Sequence, residues 1–288
     1  MRTPVTVLAF FVGLIVLFGV AISLGELVGG GVSGIGGFGS EQEEPDRERP
    51  LPEESEEPAG LAVADEGYVL WPAAARFSPG ETSEFTFTIF TVDRAPVTEF
   101  ATDHGQRMQL VLVRRDMTEY QHLRPTMNPD GTWSVSLRLG EPGSYRAFAT
   151  FRPAGAPEPI TLGVDLESPG LVEPRAVPQP SELDEAGEYT VMLDGTVIAG
   201  GVSRLYATVL RGSESVTDLE PYLGARGHLV MLREGDLGYL NVRPVSGSDT
   251  GPTISFEARV PTPGYYRVFL DFQHRGEVQT AEFTVLAS

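Results

Sequence analysis

A chain of 288 residues, 41% hydrophobic and 9% aromatic, holds enough apolar material for about two packed domains, which excludes wholesale disorder. Forty acidic against 21 basic residues leave a net charge of −19, a field that repels phosphate backbones and excludes nucleic acid as a partner. The absence of cysteine removes disulfides, thiol nucleophiles, thiolate metal sites and a lipid-modified cysteine, while 33 glycines and 23 prolines favour turn-rich β structure over helical bundles.

The first element is Val5 to Leu24, VTVLAFFVGLIVLFGVAISL, twenty residues without a charge. As a helix it spans roughly 30 Å, the thickness of a bilayer's hydrocarbon core. Its length favours an uncleaved transmembrane anchor, residues 1–28, over a signal peptide cut after Ala21-Ile22-Ser23, because signal cores run about 7–15 residues. Arg2 on one side and an acidic stretch on the other predict a cytoplasmic N-terminus and extracytoplasmic domains in a single-pass membrane protein.

Residues 29–60 read as a tether. Gly29 to Gly39 contains the G-x-G-x-x-G spacing twice, but a membrane span precedes it and an acidic Pro-rich tract follows. The dinucleotide fingerprint requires a strand before and a helix after. Glu41 to Pro58 carries nine acids and two arginines, with too few apolar residues to bury a core. It predicts an extended, self-repelling spacer.

The rest of the chain is one unit written twice, at 61–167 and 186–288, joined by a Pro-rich linker over 168–185. GQRMQLVLVRRDMTEYQHLRP (Gly105 to Pro125) aligns without gaps on GARGHLVMLREGDLGYLNVRP (Gly224 to Pro244), and EPGSYRAFATF (Glu141 to Phe151) aligns on TPGYYRVFLDF (Thr262 to Phe272). Within each copy the apolar period is two. Phe85, Phe87 and Ile89 alternate with threonines, and Tyr145, Ala147, Ala149 and Phe151 line one face, matched by Tyr266, Val268, Leu270 and Phe272. Pro79-Gly80, Asp130-Gly131 and Pro142-Gly143 supply the turns. About seven short strands per 100 residues predict two tandem immunoglobulin-like β-sandwiches in an all-β chain. The Pro-Gly-x-Tyr-Arg segments at Tyr145 and Tyr266 resemble a tyrosine corner, in which the phenol bonds back to nearby backbone.

No G-x-S-x-G elbow, phosphate-binding loop or H-E-x-x-H is present, which argues against an enzyme. One cluster does carry ligand chemistry. His104 and His122 flank a predicted strand pair of the first copy, Met108 and Met117 lie in the same stretch, and His228 falls in the second copy. Imidazole plus thioether is the soft donor set left to an exported chain without cysteine, and it suits copper, Cu(I) in particular. The competing reading packs both methionines into the core and leaves the histidines near turns.

The segments Asp103 to Phe151 and Leu223 to Pro244 resemble bacterial exported two-repeat proteins of an immunoglobulin-like type labelled heavy-metal-binding. They are similar, more distantly, to YtkA-like and copper-resistance sandwiches. The resemblance implies the sandwich fold and a histidine set in each repeat. Here the first copy has His104 and His122, with Gln109 and Arg124 at the other family histidine positions. The second copy has His228, with Asn241 and Arg243 where His-x-His would stand.

Both copies share Tyr-x-x-[Leu/Val]-Arg-Pro at Tyr120, Arg124 and Pro125 and at Tyr239, Arg243 and Pro244. The arginine forks are expected to pair with acids of the same chain. His274 is expected in a solvated hairpin turn. Together these readings predict a non-enzymatic, membrane-anchored extracytoplasmic binding protein with an unidentified protein partner and no cofactor. The alternative is a copper or other transition-metal binding protein using His104, His122, Met108, Met117 and His228.

Overall fold

The computed structural model describes residues 57–102, 105–240, 242–245 and 251–288. The predicted anchor and almost all of the tether lie outside the described residues, as do His104 and Asn241. All regular structure among the described residues is β.

The first repeat runs β1 (Ala64–Asp65), β2 (Tyr68–Pro72), β3 (Thr82–Thr91), β4 (Met108–Arg114), β5 (Gln121–Leu123), β6 (Thr126–Met127), β7 (Thr132–Arg138), β8 (Gly143–Phe151) and β9 (Ile160–Ser168). Its sheets have the orders β1-β2-β3-β7-β6 and β5-β4-β8-β9, every ladder antiparallel. The second repeat runs β10 (Leu183–Ala186), β11 (Tyr189–Asp194), β12 (Gly201–Arg211), β13 (Glu214–Ser215), β14 (His228–Arg233), β15 (Tyr239–Leu240), β16 (Val242–Pro244), β17 (Thr253–Val260), β18 (Gly264–His274) and β19 (Glu277–Ala287). It pairs as β10-β11-β12-β17-β16, with β13 on β12, and as β15-β14-β18-β19. These are the two immunoglobulin-like sandwiches that the period-2 pattern predicts.

Each sandwich closes over its own core. In the first, Leu70, Phe85, Phe87 and Trp133 of one sheet pack on Leu110, Leu112, Tyr145 and Leu162 of the other. In the second, Val191, Leu205 and Phe256 meet Met231, Tyr266, Val268 and Phe283. The tyrosine corners form as expected. Tyr145 donates to the Glu141 carbonyl at 2.8 Å and Tyr266 to the Thr262 carbonyl at 2.8 Å.

The sheets β5-β4-β8-β9 and β15-β14-β18-β19 are covered on both faces. Alternate residues of β4 and β8 that turn away from the first core, Val111, Val113 and Phe148, pack with Met117 against Val230, Leu232, Leu237, Tyr239 and Phe269 of the second repeat. A third apolar layer therefore joins the repeats. Burial on two faces explains why LVLV and VFL lack the apolar–polar alternation of a half-exposed strand.

Two connecting segments reinforce the joint. Ala59 exchanges backbone hydrogen bonds with Tyr239 of the second repeat (2.8 and 3.0 Å), while Gly60 donates to Thr161 and Ala62 accepts from Gly163 of the first. Gly60 needs its lack of a side chain: its φ is +70°, and a Cβ there would stand 2.4 Å from the Phe148 ring. The Arg146 guanidinium holds the Gly60 carbonyl at 2.7 and 2.9 Å. In the Pro-rich linker, the Arg175 amide donates to Asp116 at 2.8 Å and Val177 packs against the third layer.

Candidate metal centre

At one margin of the inter-repeat layer the packing turns polar. On the outer face of the second repeat's sheet, His228 of β14 stands opposite Asp271 of β18, and Asp271 stands opposite Thr280 of β19. Antiparallel register puts the three side chains in one row across three strands. The first repeat contributes Tyr120 and His122, two residues apart and so on one face of the β5 edge. His122, His228 and Asp271 each offer a ligand atom, and these atoms lie within 4.8 Å of one another. Among the described residues this is where three such side chains converge.

The row is buried. The side chains of His122 and Asp271 are 2% and 1% exposed. A carboxylate in so dry a place must be hydrogen-bonded to be tolerated. Asp271 Oδ2 takes the Tyr120 hydroxyl at 2.8 Å and faces His122 Nδ1 at 2.8 Å, while Oδ1 takes the Thr280 hydroxyl at 2.6 Å. Burial pushes this carboxyl up, but the His122, Thr280 and Tyr120 contacts outweigh burial and hold it below its ordinary value. Burial, with Asp271 alongside, drives the Tyr120 phenol well above its own.

Three aromatic contacts fix the geometry. Tyr120 stacks on Phe269 with centroids 4.2 Å apart and planes 3° from parallel, carrying His122 across the joint. The His122 and His228 rings are 4.7 Å apart at 48°. Tyr222 meets His122 edge to face at 6.0 Å. The exposed Arg124 guanidinium lies 4.6 Å over the Tyr222 ring, so the order from solvent inward is Arg124, Tyr222, His122.

His122 Nε2 is the chemically informative atom. It is buried and makes no hydrogen bond among the described residues. A bare imidazole nitrogen costs free energy in a dry site unless something occupies its lone pair. Two imidazoles beside a carboxylate form a donor set suited to borderline divalent ions such as Zn(II), Cu(II) or Ni(II).

The predicted ligands are distributed as follows. His122 and His228 meet. Met108 lies in the first repeat's own core and Met117 in the apolar inter-repeat layer, and neither belongs to the converging trio. Asp271 was not legible as a ligand candidate, although a lone carboxylate inside RVFLDF, a strand otherwise apolar in its centre, signals a buried polar partner. The two shared arginines differ in their contacts. Arg243 pairs with Glu158 at 3.3 Å in solvent, whereas Arg124 stacks on Tyr222. His274 departs from the expected solvated turn. It is 5% exposed, because the long β18 strand carries it under Tyr189, whose hydroxyl contacts Nδ1 at 2.7 Å.

Comparison with known proteins follows the fold. The solved structures similar to this chain include the Escherichia coli adhesin FdeC, at 14% identity over 79% of this chain and 66% of that one, with a TM-score of 0.25. They also include the D0-D1 domain of intimin, at 14% identity over 74% and 96% with a TM-score of 0.20. A Salmonella alpha-2-macroglobulin matches at 11% identity over 80% of this chain and 15% of its own, with a TM-score of 0.26. This chain thus spans less than two thirds of the adhesin and a small part of the macroglobulin. No curated protein matches the sequence. Both repeats, at residues 62–167 and 183–288, match one family, and the chain belongs to it: the domain of unknown function DUF8832.

Proposed function

We propose that this chain is a non-enzymatic binding protein, anchored in the membrane by residues 5–24 with its repeats outside, and that its ligand is a transition-metal ion held between them at the His122–His228–Asp271 cluster. The observation that carries this reading is the convergence of two imidazoles and a carboxylate from two repeats within 4.8 Å, one imidazole with a buried nitrogen that makes no hydrogen bond among the described residues. Both imidazoles offer nitrogen, and no thioether lies in the trio. That shifts the preferred ion from Cu(I) to a divalent ion of the Zn(II), Cu(II) and Ni(II) group.

Titration of the full chain with each ion tests the reading. One saturable site per chain is expected, weakened at least about tenfold (about 1.4 kcal/mol) by either His122→Ala or His228→Ala. Binding unchanged in both variants would overturn it. Protease protection in sealed vesicles tests the topology: the repeats are expected to be cleaved only from the extracytoplasmic side.

A second reading concerns a protein partner. Val69, Trp71, Phe90 and Val92 line an apolar groove on the first repeat's β2–β3 pair, where Trp71 is 64% exposed. Photo-crosslinking from position 71 in intact membranes is expected to give a discrete protein adduct. Lipid adducts alone would remove this reading.

A further inference from the structure

Resting on the metal reading above, we infer that Asp271 is not a ligand but a positioning residue, which fixes His122 so that Nε2 faces the ion and leaves two imidazoles as the protein's ligands. Asp271 Oδ2 receives the Tyr120 hydroxyl and stands 2.8 Å from His122 Nδ1. An ionised carboxylate only accepts, so the proton between them belongs to Nδ1. In its neutral form the ring then carries its lone pair on Nε2, a buried atom with no hydrogen bond among the described residues. The two ring nitrogens point in nearly opposite directions. An ion about 2.0–2.1 Å from Nε2 therefore lies roughly 6–7 Å from Oδ2, far outside coordination distance.

The same carboxylate cannot both orient His122 and bind the ion that His122 binds. A carboxylate behind a ligating histidine is a recurrent way to set its tautomer and raise its basicity. Thr280 and Tyr120 complete the arrangement, one donor on each oxygen, so that the carboxylate cannot rotate towards His228 without losing both.

The consequence is functional. Structural zinc sites are closed by four protein ligands, whereas sites that exchange or react keep positions open. Two imidazoles leave coordination positions for water or for a donor on another molecule. With two protein ligands the ion's remaining positions fall to donors other than this chain's side chains, unlike the closed set of a structural site.

Two measurements test this and separate it from the metal reading itself. The first is long-range proton–nitrogen NMR of the metal-free full chain, labelled at its four histidines. The His122 signal is expected to show Nδ1 protonated and Nε2 bare. The opposite tautomer overturns the inference even if metal binds. The second is Co(II) absorption and Cu(II) EPR of wild type and Asp271→Asn. The variant is expected to lose about 10–100-fold in affinity while both spectra keep their positions and nitrogen couplings. A change of spectrum with loss of an oxygen donor makes Asp271 a ligand and overturns the inference. A bare Nε2 in a chain that binds no ion would sink the metal reading and leave the tautomer assignment standing.

Discussion

Replacing Phe269 by alanine separates the joint between the repeats from the cores within them. Phe269 is fully buried, yet it lies on the outer face of its sheet, stacked on Tyr120 of the other repeat, while its neighbours Val268 and Leu270 serve the inner core. Loss of a buried phenylalanine costs about 3–5 kcal/mol, which includes the stacking contribution of about 0.5–1.5 kcal/mol. Because the ring serves the third layer, that cost falls on the docking of the two repeats. The chain has two tryptophans, Trp71 and Trp133, and both belong to the first repeat, so their fluorescence reports a domain that does not contain the substitution. With a urea slope of about 2–3 kcal/mol/M, the fluorescence midpoint is expected to fall by about 1–2 M. Circular dichroism, which sees both repeats, should part from the fluorescence curve in the variant but coincide with it in the wild type. An unshifted fluorescence midpoint in Phe269→Ala would refute the claim that the third layer couples the repeats.

Other substitutions probe the parts of the joint and the sandwiches. Gly60→Ala combines a positive φ with a Cβ 2.4 Å from the Phe148 ring, and thermal unfolding should show a loss of about 1–3 kcal/mol. Tyr145→Phe removes the corner bond to the Glu141 carbonyl, an expected cost of about 0.5–1.5 kcal/mol by urea titration, and Tyr266→Phe should match it. The Asp116 carboxyl is pushed up by burial but held at about 2 by the Arg114 guanidinium, the Arg175 amide and the Thr118 hydroxyl. A depressed carboxyl stabilises fully above its unfolded value near 4, and the stabilisation is lost as pH falls through about 2. Acid titration should therefore cost the wild type about 1–2 kcal/mol over that window, after allowance for solvent screening, and Asp116→Asn should flatten it.

The sandwiches were legible in the sequence because the repeat and the period-2 runs act locally. Phe85, Phe87 and Ile89 declare their face within five residues, and Asp130-Gly131 or Pro142-Gly143 declare the turns. The joint was written less openly. GHLVMLR and SYRAFATF carry apolar residues at consecutive positions, the mark of a sheet buried on both sides, but nothing in that mark says what covers the second side. The candidate centre depends on that cover. His122 and His228 were visible as candidates, yet they lie 106 positions apart in different repeats, and only the docking of one sheet on the other brings their rings within 4.7 Å. Asp271 occupies the position of Thr150 in the first copy, each facing a threonine on the next strand, Thr280 or Thr161. The two repeats thus present corresponding polar spots to the joint, with Gln109 opposite Thr150 as His228 is opposite Asp271. One spot carries a carboxylate and imidazoles, and the other carries neutral side chains.

Anomalous diffraction from crystals of the protein grown with Zn(II) or Cu(II), recorded on both sides of the metal's absorption edge, tests the central claim most directly. A single strong peak about 2.0–2.1 Å from the imidazole nitrogens of His122 and His228, inside the joint between the repeats, is the predicted result. A peak confined to surface carboxylates, or no ordered peak at saturating metal, would contradict it.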